Sequence, residues 1–306
     1  MGTCTLCLET TRGDAAFHAA CVRELFGTSQ APALDMDLNA LDDLAATMVG
    51  RMSISGMQQK VSVRLSPDRR LLEVAPTGGR YILKPPSAIF PEIPQNEHLT
   101  MRLARRVGIP VPACGLVSLK DSGAAYIVSR FDRLDDGTKL QMEDFCQLAE
   151  LPPGDKYDKP AELCVRLLRK YASEPPVAIL SLYRLLVFSW CVGNHDLHLK
   201  NLSLLTGSDG IRRLSPAYDL VNTELVIKND HMAMSVGGKT RAMDRKHWLD
   251  FADYSHIPPL AAERVLASIA ESGQAMMPLI AGSTLSLPMK ERYQMLLQTR
   301  LAQLTG

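Results

Sequence analysis

The stretch GNHDLHLKNLSLL, residues 193–205, decides how this chain reads. It follows residues 177–192, which are apolar nearly all round and so predict a helix buried on every side. Residues 202–205 read as a short strand, so the polar run between them is a loop. That loop sets Asp196 and Asn201 five residues apart, two side chains whose oxygens suit a hard divalent cation. After a second short strand at 212–214, Ala217-Tyr218-Asp219 adds another carboxylate.

Upstream of the loop the period changes. Val61, Val63 and Leu65 alternate with Ser62 and Arg64, Leu72 and Val74 alternate again, and Tyr81-Ile82-Leu83-Lys84 forms a third strand closed by Pro85-Pro86. Residues 116–119 and 124–129 add two more, and the set predicts an antiparallel sheet. Between them lies a helix with Asn96 as its N-cap, Glu97 in its first turn and Gly108 just past its end. Downstream, helices are predicted at 142–150, 161–172, 177–192, 259–273 and 285–305, and residues 38–49 carry helical spacing too. The domain reading is a Cys/His segment at 1–27, a linker and helix at 28–50, a β-rich lobe at 51–130 and a helical lobe at 131–306. The fold class is α+β in two lobes.

These pieces make one chemistry. Phosphoryl transfer needs cations against the charge that develops on the γ-phosphate. Lys84, held by Glu97, suits the phosphates. Asp196 suits the role of base toward a substrate hydroxyl, and Asn201 and Asp219 suit Mg²⁺. The Asp-x-x-x-x-Asn spacing is that of a kinase catalytic loop. Lys200 is placed to meet the transferred phosphate. The loop MSISGMQQK, residues 52–60, offers Ser53, Ser55, Gly56 and Lys60. Each piece alone has a plain reading, a solvated lysine or a capping segment; their order around a β-to-α change is what carries the argument. His198 reads as orienting the loop, His195 is uncommitted, and Trp190 reads as core.

With these residues in hand, the sequence resembles the HipA family of bacterial Ser/Thr kinases, toxins of toxin–antitoxin modules. SISGMQQKVSV (53–63), YILKP (81–85), NEHLTMRLARRVGIPVP (96–112), YIVSRFDR (126–133), MEDFCQLAE (142–150), GNHDLHLKNLSLL (193–205), LSPAYDL (214–220) and MAMSVGGK (232–239) carry the resemblance in family order. It implies a protein-kinase-like two-lobe fold, ATP and Mg²⁺ as cofactors, and Lys84, Glu97, Asp196, Asn201 and Asp219 in the roles above. It also implies that adenine meets the backbone near Val128 and Phe131. Autophosphorylation is implied in the first-lobe loop, at Ser53 or Ser55. The Ser-Ile-Ser-Gly form is most similar to the short HipT toxins of three-component HipBST systems. About 50 residues precede that loop, too few for the extra N-terminal subdomain of long HipA proteins. A HipS-like small protein supplying that part is therefore expected, beside a HipB-like DNA-binding antitoxin. The expected substrate is an aminoacyl-tRNA synthetase, glutamyl- on the HipA pattern or tryptophanyl- on the HipT pattern. Alternatives are a small-molecule kinase resembling aminoglycoside phosphotransferases, against which the Ser-Ile-Ser loop and RFDR argue, and a pseudokinase scaffold, against which the intact acidic set argues.

Composition bounds the rest. The chain has 306 residues, 46% hydrophobic and 22% charged, with 34 Lys plus Arg against 33 Asp plus Glu. A net charge of +1 argues against direct nucleic-acid binding by bulk electrostatics. No stretch reads as a membrane span or a secretory signal, so the expected setting is the cytoplasm. Of seven cysteines, 114, 146, 164 and 191 fall at apolar positions. The others form Cys4-x2-Cys7-x10-His18-x2-Cys21, a spacing that suits a closed structural Cys3His zinc knuckle. The plainer alternative is two unrelated thiol pairs.

Overall fold

The computed structural model describes residues 2–12, 15–38, 41, 59–120, 123–134 and 136–305. The chain forms two compact units: residues 1–102, 112–138 and 281–286 make the first, and residues 103–111, 139–280 and 287–306 the second. The sequence places the change of character near residue 131; the division falls after Thr138.

In the first unit, α1 (Ala19–Phe26) precedes β1 (Val61–Leu65), β2 (Leu72–Val74) and β3 (Tyr81–Lys84). Then come α2 (Ile93–Arg106), whose residues from 103 on are counted with the second unit, β4 (Cys114–Ser118) and β5 (Ala124–Ser129). The strands make an antiparallel sheet in the order β2-β1-β3-β5-β4. Strand alternation gives that sheet two different faces. Val61, Val63, Tyr81, Leu83, Ala125 and Ile127 point to one and join a single apolar cluster with Cys4, Leu6, Cys7, Val22, Leu25 and Phe26. The N-terminal Cys/His segment is therefore part of the first unit's core. Lys84 and Tyr126 stand opposite each other in register, and their positions alternate with Leu83 and Ile127, which places them on the other face.

Helix α2 corrects the expected boundary. It begins at Ile93, with Pro94 in its first turn, so Asn96 lies inside the helix and is not its N-cap. The Asn96 backbone N–H donates to Glu92 O, and Glu97 falls one turn in. The far end is as expected. Gly108 has φ +74°, its N–H donates to Arg105 O, and Ile109 N–H donates to Ala104 O, a Schellman closure.

The second unit contains β6 (Met142–Asp144), α3 (Phe145–Leu148), β7 (Lys159–Pro160), α4 (Ala161–Tyr171), α5 (Pro175–Cys191), β8 (Ser203–Thr206) and β9 (Arg212–Leu214). It continues through β10 (Met234–Ser235), α6 (Arg245–Tyr254), α7 (Pro259–Glu271), α8 (Gly273–Gly282) and α9 (Leu287–Thr305). The helix expected at 142–150 is shorter. Its first three residues pair with β8 as strand β6, and a capping box between Asp144 and Gln147 starts α3. Helices α6 and α8 were not expected: α6 opens with Arg245-Lys246-His247, which hides its apolar face, and α8 contains Pro278. Helix α5 is the buried centre. Leu182, Leu186, Val187, Phe188 and Cys191 are inaccessible, and Trp190 packs edge-on against Trp248 at 5.9 Å. Among the described residues, no helix is long and apolar enough to cross a membrane.

Candidate functional site

In the first unit, β3 ends at Lys84 and α2 presents Glu97. Lys84 Nζ donates to Glu97 Oε1 at 2.6 Å, with side chains 4% and 1% exposed. The Tyr126 ring lies 5.6 Å from Lys84 Nζ. Two opposite charges removed from water need close contact to persist, because each alone carries a large desolvation penalty. Val128 is buried on β5, and Phe131 follows it at partial exposure. In the RFDR segment, Arg130 grips Asp132 with two hydrogen bonds, at 3.0 and 2.9 Å, and Arg133 adds a third at 2.6 Å. Burial pushes the Asp132 carboxyl up, but these two guanidinium groups outweigh it and hold the pKa below the usual range. Lys60 is half-buried just before β1. Ser53, Ser55 and Gly56, like the helical spacing at 42–49, lie outside the described residues.

In the second unit, the loop after α5 turns at Gly193, whose φ is +69°. A Cβ there meets Asn222 Oδ1 at 2.7 Å, so the turn requires glycine. Asn201 Nδ2 donates to Asp196 O at 3.0 Å, which ties the ends of the Asp-x-x-x-x-Asn span together. With its amide nitrogen committed, Asn201 has its oxygen left for a cation. Tyr157 Oη donates to Asp196 Oδ1 at 2.9 Å. Burial raises the Asp196 pKa to about 6; Tyr157 and Lys156 oppose the shift, and the negative charges of Asp219 and Asp230 add to it. A carboxyl titrating there suits a general base near neutral pH. Asp219 has φ +62°, a left-handed conformation that a non-glycine residue adopts at some cost and that is often kept where it aims a functional side chain. Lys200 is half-buried, and its carbonyl accepts from Tyr218 Oη at 2.9 Å.

The two histidines separate. His195 lies between carboxylates, with Nδ1 3.4 Å from Asp230 and Nε2 3.4 Å from Glu224. Thr223 Oγ1 donates to Asp230 at 2.5 Å and accepts from His195 N–H. His198 packs edge-on against Tyr157 with centroids 5.0 Å apart, and burial lowers its pKa to about 4. Sequence reasoning missed Tyr157, Asp230 and Glu224. Tyr157 lies 39 residues before Asp196, a separation that carries no periodic signal.

The four N-terminal Cys and His side chains also come together. The ligand atoms of Cys4, Cys7, His18 and Cys21 all lie within 4.8 Å of one another.

The family model for the HipA-like C-terminal domain matches residues 52–277, and the chain belongs to that family. Two relatives from Sinorhizobium fredii are named Putative kinase Y4mE and Putative kinase Y4dM. The first is 32% identical over 74% of this chain and 56% of its own length; the second is 35% identical over 63% and 50%. A Haemophilus influenzae protein named Putative kinase is 28% identical over 56% of this chain and 52% of its own. The chain thus spans about half the length of these relatives. Among solved structures, HipA of Shewanella oneidensis, in a complex with HipB and operator DNA, matches with a TM-score of 0.72 at 22% identity, over 84% of this chain and 66% of that one. The Helicobacter pylori proinflammatory kinase CtkA matches with a TM-score of 0.59 at 14% identity, over 83% and 89%. The fold is protein-kinase-like, α+β, as the resemblance implied.

Proposed function

We propose that this chain is an ATP-dependent serine/threonine protein kinase acting as a HipA/HipT-like toxin. The observation that carries the reading is the buried 2.6 Å contact between Lys84 and Glu97, which fixes a cation that a solvated surface lysine would leave free to move. In the reaction, Lys84 binds the nucleotide phosphates and the backbone near Val128 and Phe131 receives adenine. Lys60 and the Ser-Ile-Ser-Gly loop, with Gly56, belong to the same phosphate-binding set. Asn201 and Asp219 are the ligands for Mg²⁺, which neutralises phosphate charge when bound. Asp196 accepts the proton of the substrate hydroxyl as that oxygen bonds the γ-phosphorus and the β–γ bridging oxygen leaves with ADP. Lys200 meets the charge of the transferred group.

The substrates on this reading are a serine of a bacterial aminoacyl-tRNA synthetase and the chain's own Ser53 or Ser55. On this reading a HipB-like antitoxin supplies DNA contact, a HipS-like small protein is a further partner, and the setting is cytoplasmic. The family membership and the kinase names of its relatives support the reading. The test is intact mass after phosphatase treatment and incubation with Mg-ATP, beside Asp196→Asn. A gain of roughly 80 Da per phosphate at Ser53 or Ser55, absent in Asp196→Asn, is expected. ATP bound with no gain, with the small partner also present, overturns it.

A further inference from the structure

Cys4, Cys7, His18 and Cys21 take no part in the chemistry above, and one ligand atom of each lies within 4.8 Å of the others. A tetrahedral Zn²⁺ with bonds of ~2.3 Å to sulfur and ~2.0 Å to nitrogen has S···S edges of ~3.8 Å and S···N edges of ~3.6 Å. Here Cys7 Sγ is 3.2 Å and Cys21 Sγ 3.9 Å from His18 Nδ1. No edge of the group exceeds 4.8 Å. The histidine is already oriented for the task. Its Nε2 lies 3.1 Å from Thr10 O, and a carbonyl only accepts, so the proton of the neutral ring is on Nε2. Nδ1 is then the bare lone pair, and it is the nitrogen turned toward the thiols. A backbone carbonyl fixing the distal nitrogen is the usual support of a metal-bound imidazole. His18 N–H also points at Cys4 Sγ, 3.4 Å away, a donor that suits a thiolate.

The knuckle is built into its surroundings. Thr5 O accepts from Leu116 N–H of β4. Leu6 fills the space over Gly115, where a Cβ falls 2.2 Å from Leu6 Cδ2. Leu6 O accepts from His98 Nε2 at 3.1 Å, and His98 is the residue after Glu97 on α2.

We propose that Cys4, Cys7, His18 and Cys21 bind one structural Zn²⁺, and that the knuckle it closes clamps α2, the helix that carries Glu97, through the Leu6–His98 contact. Binding releases the thiol protons to solvent and involves no change of oxidation state. Four protein ligands leave no open position, so the metal is structural. The site and the clamp hold whether or not the chain transfers phosphate, and neither readout below depends on activity.

The test uses the full chain purified under reducing conditions without chelator. Metal analysis is expected to find about one zinc per chain, and Co²⁺ exchange to give the strong visible bands of a tetrahedral thiolate site. Cys4→Ser and Cys21→Ser are each expected to weaken zinc at least about tenfold, while Cys164→Ser, a buried thiol outside the cluster, leaves it unchanged. Wild-type protein with no zinc, octahedral cobalt spectra, or a Cys4–Cys7 disulfide in the reduced preparation overturns the site. For the clamp, hydrogen exchange is compared with and without zinc. Amides of 93–106 are expected to exchange about tenfold faster or more on removal, and those of α5 at the same rate. Equal exchange at 93–106 overturns the clamp.

Discussion

Glu97 and Asp196 are both carboxylates with little access to water, and their surroundings treat them differently. Glu97 meets a cation at 2.6 Å in a nearly dry setting. Burial, helped by the negative charges of Asp219 and Asp230 and opposed by the Tyr157 hydroxyl and Lys156, raises the Asp196 pKa to about 6. An ion pair settles charge, so the first arrangement holds Lys84 in place and keeps it charged. A buried carboxylate whose hydrogen bond comes from a neutral hydroxyl, with no salt-bridge partner at close contact among the described residues, suits the proposed role of proton acceptor. On the proposed reading, positioning and proton transfer ask opposite things of the same functional group, and each is obtained by the choice of neighbours.

The strongest way to break this contrast is to remove the proton acceptor. Asp196→Asn should lower phosphoryl transfer by about 10³-fold or more, ~4 kcal/mol of barrier, with little loss of stability because a buried charge disappears. Radiolabelled phosphate incorporation beside a urea titration reads both. An active Asp196→Asn variant removes the base assignment.

Glu97→Ala leaves Lys84 buried without its anion and should cost about 3–5 kcal/mol of stability. The double variant Lys84→Met, Glu97→Leu should recover most of that loss and still fail to transfer phosphate. Denaturant midpoints that do not recover count against an ion pair kept for function.

His98 provides a pH test of the first unit. Burial, opposed by its bond to Leu6 O, lowers its pKa to about 4, below the ordinary 6.5. The folded state therefore binds the proton less well than the unfolded chain. The associated stability is present above about pH 6.5 and is lost as pH falls toward 4. Between pH 7 and 5 the loss should be about 2 kcal/mol relative to His98→Gln, a comparison that removes acid effects common to both proteins. Parallel stability curves for the two proteins contradict the burial reading.

The smallest effect sharpens the contrast within the second unit. Tyr157→Phe removes the hydrogen bond that favours the Asp196 anion, so its pKa rises further. The acid limb of kcat/KM should start near pH 6 in the wild type and move upward by up to about one pH unit, ~1 kcal/mol, in the variant. A limb that stays put separates Tyr157 from the base.

Much of this was legible from residue order. The strands at 61–65, 72–74 and 81–84 carried period two, and residues 177–192 were apolar nearly all round. The Schellman end of α2 was visible in Gly108 and Pro110. The start of α2 was misread because Asn96 is a good capping residue by type, while Pro94 in the first turn is the stronger signal. The Asp196–Asn201 spacing stood out because a loop must place both side chains within one short turn.

The sequence by itself determined which residues are chemically equipped: Lys84, Glu97, Asp196, Asn201 and Asp219 in kinase order, and Cys4, Cys7, His18 and Cys21 at metal-ligand spacing. Only the tertiary structure decided how they are held. It paired Tyr157 with Asp196, set His195 between Asp230 and Glu224, and joined Leu6 to His98 across 92 residues. Local spacing reports only what one helix turn or one strand face brings together. Burial, and with it the strength of a charge and the pKa of a carboxylate, depends on chain segments far apart in sequence, which folding alone brings into contact.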